Sequence, residues 1–297
     1  MSGPATRPAD RPTARIAVIG GSGFYDFPDL EERREVTAET PFGPPSDAIV
    51  TGLLEGQPVA FLPRHGRGHR LSPSELPYRA NIFALKQLGV EWIISVSACG
   101  SMREAIAPLD VVIPDQLFDR TRTRASTFFG DGAVAHIGFA DPFCPVLSHV
   151  LNLAGRQVGA TVHKGGTYVC IEGPQFSTRA ESRIYRQWGV DVIGMTALPE
   201  AKLAREAEIH YATLAFVTDY DVWHETEAAV SVELVVQNLT ANVETGRRII
   251  RAALPAIPVA ERGCACPTAL ESALITRRDL IPEALRARLA PLVGKYL

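Results

Sequence analysis

Two carboxylates one residue apart close the apolar run Leu214-Ala215-Phe216-Val217-Thr218: Asp219 and Asp221, with Tyr220 between them. Side chains at i and i+2 of an extended chain point the same way, so both acids are expected to face one pocket. Like charges that close resist joint ionisation, which raises one pKa and leaves a proton near neutral pH. A carboxyl beside a carboxylate matches a ligand edge that sets an acceptor next to a donor, as N7 and the 6-amino group of adenine do. For an Asp-x-Asp taken alone, a strand-end pair solvated in a loop is the alternative.

Other strand ends carry chemistry as well. Arg15–Ile19 is a short strand that runs into Gly20-Gly21-Ser22-Gly23, a turn able to present backbone N–H groups to a phosphate. The dinucleotide pattern G-x-G-x-x-G fails there, because Asp26 stands where the third Gly belongs. The nucleophile elbow G-x-S-x-G fails too, at Phe24. Pro63-Arg64-His65-Gly66-Arg67-Gly68-His69-Arg70 is dense in cations and glycines, and Arg forks onto phosphate oxygens. His65 and His69 are four apart, but the glycines between them argue against a helix that would align both on a metal. Ser97-Ala98-Cys99-Gly100-Ser101 and Met195-Thr196 again set small residues and hydroxyls after apolar runs.

These sites need elements to hold them. The hairpin Ala48–Leu54 and Pro58–Leu62 turns at Glu55-Gly56. Helical spacing is expected over Tyr78–Leu88, Pro145–Val158, a segment capped by Ser177 or Thr178 and running to Trp188, Leu198–Glu206, and a long helix from Ser231 to Ala253 stopped by Pro255. Buried strands are expected at Trp92–Ser97, Val111–Ile113, Gly166–Ile171 and Val192–Met195. Asp119–Phe139 reads as a long surface excursion of the functional or subunit-contact kind. Alternation of strands and helices without a linker or repeat predicts a single-domain α/β fold, a central mixed β-sheet flanked by helices, over residues 15–297. Residues 1–14, rich in Pro, Ala and Arg, read as a disordered tail with no apolar core of a secretory signal.

Composition removes several classes of function. A net charge of −3 gives no electrostatic reason to expect nucleic acid or an anionic membrane. No apolar run reaches membrane-spanning length, and the cytoplasm is the expected location. Five cysteines are an odd number for a disulfide framework, and Cys99, Cys144 and Cys170 read as buried thiols. Cys264-Ala265-Cys266 could ligate metal or undergo redox chemistry. No second Cys or His pair lies nearby in the sequence, so no metal is expected.

Five loops of this composition converging is a specific signal. Ile19-Gly20-Gly21-Ser22-Gly23, Pro63-Arg64-His65-Gly66, Ser97-Ala98-Cys99-Gly100-Ser101, Ile171-Glu172-Gly173-Pro174 and Met195-Thr196 resemble the signature loops of trimeric purine nucleoside phosphorylases. The similarity runs from about Ile16 to Pro255, and Thr218-Asp219-Tyr220-Asp221 resembles the branch acting on 5'-methylthioadenosine. The resemblance implies reversible phosphorolysis of that nucleoside to adenine and 5-methylthioribose 1-phosphate, with inorganic phosphate as co-substrate and no cofactor. It implies phosphate binding by Ser22, Arg64, His65, Ser97, Ala98 and Thr196. Asp219 would serve N7 and Asp221 the 6-amino group. Met195 and Phe176 would lie by the sugar, with Cys99 and Gly100 lining the site. Val232 and Val235 would berth the methylthio group, and Ser177 and Val232 would tune specificity. His136 would close a neighbour's pocket in a homotrimer, or in trimers paired as hexamers.

Gly194 departs from the Asn of some members, and Ser22 and Ser97 stand where Thr is common. The alternatives are a phosphorylase of inosine, guanosine, adenosine or methylthioinosine, a nucleoside-binding protein without catalysis, and a nicotinamide dehydrogenase already weakened by its missing glycine.

Overall fold

The computed structural model describes residues 14–21, 24, 27–225, 230–257 and 263–297. Ser22 and the tail up to residue 13 lie outside them. Ala14, assigned to the tail by sequence, is buried and packs into the core.

One mixed sheet organises the chain. Its order is β2 (Glu31–Val36), β3 (Ile49–Leu54), β4 (Gln57–Pro63), β1 (Ile16–Gly20), β5 (Trp92–Ser101), β10 (Val192–Gly194), β9 (Thr167–Ile171) and β7 (Gln116–Arg120). A branch leaves β5 through β11 (His210–Asp219) to β6 (Val111–Ile113) and β8 (Val162–Lys164). Strands β1, β4, β5 and β11 run parallel, so their C-terminal ends, and the loops that follow, come out on one side.

The apolar runs are continuous because the sheet is covered on both faces. Ala17, Ile19, Ile93, Ala215 and Val217 face a cluster that includes α1 (Tyr78–Gln87), α4 (Ala197–Glu206) and α6 (Glu283–Val293). Their strand neighbours Ile16, Val18, Trp92, Ile94, Leu214 and Phe216 face the opposite cluster, with α2 (Pro145–Gln157) and α5 (Val232–Ala253).

Strand β5 differs from its expected length, and the difference matters. It runs on to Ser101, so Ser97–Gly100 lie within a strand instead of forming a loop. The reason is a change of neighbour. Along one edge β5 pairs with β1 from Trp92 to Ser95, then with β10 at Gly100 and Ser101. Between those two partners, Val96–Cys99 keep only β11 on their other side. The sheet therefore opens a notch in its own middle.

Three short or charged strands were not expected from sequence. Glu31–Val36 is exposed along nearly its whole length and lies at the edge of the sheet, while β7 and β8 are five and three residues long. The excursion over 119–139 is only partly on the surface, since Phe128 and Phe129 enter the core.

Helix α3 (Arg179–Gln187) opens with a capping box: Thr178 accepts from the Glu181 amide at 3.2 Å, and Glu181 accepts from the Thr178 amide at 2.8 Å. This fixes where Phe176 and Ser177 emerge. Thr178→Ala is expected to cost about 1 kcal/mol, read as a lower urea midpoint with an unchanged m value.

Candidate active site

A cavity of about 800 Å³ lies at the notch, and the loops from the parallel strand ends line it. Among its walls are Arg64, His65, Ser97, Ala98, Cys99, Gly100, Phe176, Ser177, Met195, Thr196, Asp219, Asp221, Val232 and Val235. Apart from Ser22, which is not described, and His136, every residue the resemblance assigned to the site therefore lines one cavity. His136 is exposed elsewhere, its amide donating to the Ala273 carbonyl at 2.8 Å.

The acids reach the pocket differently from the expected strand alternation. Strand β11 stops at Asp219, and Asp221 sits in the following turn with φ 52°. Its amide donates to Asp219 Oδ1 at 2.8 Å, which folds the second carboxylate back beside the first. Asp219 Oδ2 accepts from the Thr218 hydroxyl at 2.7 Å, and that hydroxyl also lies 3.2 Å from the Cys99 carbonyl. Both acids are buried, 3% and 4% exposed, which is what makes their ionisation costly.

Burial raises the pKa of Asp219, and it pushes Asp221 up to about 6, with repulsion from Asp219 acting in the same direction. Asp221 Oδ2 is buried without a hydrogen bond among the described residues, the Ser182 hydroxyl being the nearby group that favours its ionised form, whereas both oxygens of Asp219 accept hydrogen bonds. The two carboxyls titrate as a coupled pair, and their burial holds a proton on that pair above the usual carboxylate range.

Neighbouring elements fix this corner. Asn238 and Asn242 of α5 donate to the Thr218 and Val217 carbonyls at 2.6 and 3.1 Å, and Trp223 Nε1 donates to the Ser101 carbonyl at 2.7 Å. Gly100 has to be glycine, because a Cβ there would lie 2.8 Å from Asp219 Oδ1.

Arg64 is the largest surprise. It is only 2% exposed, and its fork grips Glu200 instead of open space: Nε and Nη2 donate to the two carboxylate oxygens at 2.9 Å each. Nη2 also donates to Ser95 Oγ at 2.7 Å and Nη1 to the Val96 carbonyl at 2.7 Å. Of five N–H donors, one on Nη1 is left to face a ligand. Glu200 is equally saturated, accepting further from Ser95 Oγ at 2.8 Å and the Tyr211 hydroxyl at 2.9 Å. A glutamate on a helix offers no sequence sign of this role.

The remaining polar groups face the notch. Ser97 Oγ lies 3.4 Å from Thr196 Oγ1 and 3.1 Å from the Tyr168 hydroxyl. The Val96 carbonyl points into the notch at Arg64, so strand alternation turns the Ala98 N–H toward the same edge. His65 Nδ1 donates to the Leu71 carbonyl at 2.8 Å, which leaves Nε2 as an acceptor. Burial lowers its pKa to about 4, so the ring is neutral above that pH. The unusual Gly194 is explained by Tyr168, whose hydroxyl would be 1.9 Å from a Cβ at that position.

Arg124, hidden in the excursion, ties the rim together. Its guanidinium donates to the Met195, Leu198 and Glu172 carbonyls at 2.6 Å each.

The arrangement pairs an anion cradle with a proton-bearing acid pair across one mostly apolar cavity. That is equipment for displacing a heterocyclic leaving group with an oxyanion. Comparison with known proteins agrees. The phosphorylase superfamily profile matches residues 15–255. The S-methyl-5'-thioadenosine phosphorylase of Gloeobacter violaceus is 58% identical over 96% of this chain and 97% of its own length. That of Geobacter sulfurreducens is 57% identical over 95% and 99%. Among solved structures, a methylthioadenosine phosphorylase sourced from an antarctic soil metagenomic library aligns with a TM-score of 0.91 at 54% identity, covering 95% of this chain and 99% of that one. The methylthioadenosine phosphorylase of Schistosoma mansoni in complex with adenine aligns with a TM-score of 0.83 at 37% identity, over 90% and 100%.

Two expectations follow from these geometries. Arg64→Ala strands the Glu200 carboxylate in the interior and should destabilise by about 3–5 kcal/mol, whereas Arg64→Met with Glu200→Leu removes both charges and should recover most of that loss in urea unfolding. Asp221, with a folded pKa near 6 against 3.8, binds its proton more tightly when folded. Its contribution is therefore full below about pH 4 and lost as pH rises through 6. Asp221→Asn should raise Tm at about pH 8 and lose that advantage toward pH 4; a gain independent of pH would contradict the burial argument.

Proposed function

The chain belongs to the phosphorylase superfamily, and from that premise we propose that it catalyses reversible phosphorolysis of S-methyl-5'-thioadenosine to adenine and 5-methylthioribose 1-phosphate. The observation that carries this reading is the shared cavity: the Asp219–Asp221 pair and the His65, Ser97, Ala98 and Thr196 cradle line the same walls. The relatives named above act on, or bind, molecules of that class.

The reaction breaks the bond between the anomeric carbon and N9, leaving its electron pair on the purine, while a phosphate oxygen bonds to that carbon. Positive charge grows on the ribose and negative charge on the base. The cradle sets the phosphate dianion against the first. Ser97 and Thr196 hydroxyls and the Ala98 amide donate to it, a role the sequence resemblance gives to the Ser22 hydroxyl as well, and neutral His65 accepts a proton held on the phosphate. Arg64 adds its one spare N–H and its positive charge, the latter largely offset by Glu200.

A proton at N7 answers the charge on the base, an effect worth about 10²–10⁴-fold. Asp219 delivers it, and Asp221 accepts from the 6-amino group. Because the pair shares its proton, docking of the purine can settle it on Asp219. Thr218 permits this, because its hydroxyl can turn from Asp219 to the Cys99 carbonyl. Met195 and Phe176 enclose the sugar. Val232 and Val235 offer the methylthio group an apolar berth, with Ser177 and Val232 shaping specificity. No cofactor is needed, because preorganised donors supply the electrostatic stabilisation.

The functional unit we propose is a homotrimer or a pair of trimers. Val232 and Val236 are 63% and 55% exposed at the mouth of the cavity, and His136 stands on an exposed segment available to a neighbour's site. Among the described residues no helix is long and apolar enough to cross a membrane. Free thiols throughout favour the cytoplasm as its location.

Release of adenine should require phosphate, and base formed equally fast without phosphate would count against the proposal. Asp219→Asn should lower kcat by about 10²-fold or more with methylthioadenosine still bound. Wild-type preference for methylthioadenosine over methylthioinosine, compared as kcat/KM, should narrow in Asp221→Asn, whose amide weakens the acceptor for the 6-amino group and can donate to O6. His136→Ala should raise KM in the assembled enzyme, and full activity in a monomer, sized by light scattering, would rule out the shared pocket.

A further inference from the structure

Far from the cavity, at the opposite end of β11, the fold assembles four groups that lie apart in the sequence. Cys144, His210, Cys264 and Cys266 bring three sulfurs and one imidazole nitrogen within 4.8 Å of one another. Cys144 Sγ is 3.6 Å from Cys264 Sγ and 3.3 Å from His210 Nδ1, and Cys264 Sγ is 3.2 Å from the same nitrogen. The sequence reading expected no metal because no second pair accompanies Cys264-Ala265-Cys266. The fold supplies one, from the start of α2 and the start of β11.

We propose that this cluster is a structural zinc site. A tetrahedral zinc ion holds thiolates about 3.8 Å apart and a thiolate and imidazole nitrogen about 3.6 Å apart; the three distances among Cys144, His210 and Cys264 fall within a few tenths of those edges, and Cys266 Sγ lies within 4.8 Å of all three. The donor set is soft and complete, with three sulfurs and one nitrogen, so no position is left for a substrate or water. A disulfide would use two of the sulfurs and leave the third and the imidazole unexplained. Binding replaces three thiol protons, released to solvent, and requires a neutral imidazole whose remaining proton sits on Nε2.

The surroundings fit ligands held ready. Cys144 is wholly buried, His210 is 1% exposed and Cys266 is 3% exposed. Cys144 is the N-cap of α2, where the Leu147 amide donates to its sulfur at 3.4 Å and the helix dipole favours a thiolate. The His210 ring is fixed by stacking on Trp92, with centroids 3.6 Å apart and planes 9° from parallel.

Such an ion would fasten the C-terminal segment to the sheet. Residues after Cys266 include α6, whose Leu285, Leu289 and Leu292 complete one core cluster, and Ala273 and Leu274, which hold the segment carrying His136. Nine residue steps along β11 take the chain from His210 to Asp219, about 30 Å of strand. The site is thus placed to affect stability and assembly, not turnover.

The test is metal content, which is independent of whether the activity proposed above is right. Protein expressed with zinc in the medium and purified without chelator should carry about one zinc per chain by plasma mass spectrometry. Cobalt(II) substitution should give thiolate-to-metal charge-transfer bands and the intense d–d bands of a tetrahedral centre. Cys264→Ser with Cys266→Ser should abolish both and lower Tm, with kcat per folded chain nearly unchanged. Should that variant fail to fold, the wild-type zinc content and cobalt spectrum still decide. Wild-type protein with less than about a tenth of an equivalent of zinc and no tetrahedral cobalt spectrum would overturn the proposal. So would a disulfide among Cys144, Cys264 and Cys266 in protein purified under reducing conditions.

Discussion

The buried Arg64–Glu200 pair is the interaction on which the rest of the site depends. Two opposite charges, each at most 2% exposed, are tolerable only because nearly every donor and acceptor is used. Those partners come from separate elements: Ser95 and Val96 on β5, Tyr211 on β11, Glu200 on α4, and Arg64 at the end of β4. Satisfying one guanidinium therefore locks four elements in register at the point where β5 changes neighbours. The notch stays open because Arg64 fills its base and holds the Val96 carbonyl. A pair of this kind is weak grounds for stability in itself, since apolar replacements are often as stable. Its value lies in specifying one geometry for the cradle above it.

A second constraint comes from burying two acids together. Strand geometry alone would have sent Asp219 and Asp221 along a shared face. The chain instead turns sharply at Asp221 and lets the backbone of one acid solvate the carboxylate of the other. The result is an asymmetric pair: one carboxylate with a donor on each oxygen, and one with an oxygen that takes no hydrogen bond among the described residues. That asymmetry makes a shared proton directional, and the absence of a side chain at Gly100 makes room for it.

Much of this was legible in the sequence, for reasons that can be named. The strand-to-helix alternation, the hairpin at Glu55-Gly56, the Thr178 cap and the Ser231 start of α5 are local signals, and the chain obeys them. The loop compositions showed which ends converge, because parallel strands deliver their C-termini to one side. What escaped was non-local. Glu200 looks like any helical glutamate until Arg64 arrives from 136 positions away. Arg124 sits in a polar stretch that reads as surface, yet its side chain is only 1% exposed. The extension of β5 to Ser101 depends on β10, which no local pattern announces. Cys144 and His210 are far apart in sequence from Cys264, so spacing rules for metal ligands had nothing to work on.

The two ends of β11 show how one strand can serve chemistry and stability without conflict. Its C-terminal end must keep groups that are costly to bury, two acids and the carbonyls that α5 secures, because a reacting base needs them there. Its N-terminal end carries His210, stacked on Trp92 and closed in by three cysteine sulfurs, where nothing has to move. Between them lies a run of buried residues paired in parallel with β5 from His210 to Val217, the register shifting only before Asp219. Such a run transmits position rigidly, since a well-packed interior has few alternative arrangements. Strain accepted at the acid pair is thus borne by a strand anchored at its far end, and the division of labour is built into the register of two adjacent strands.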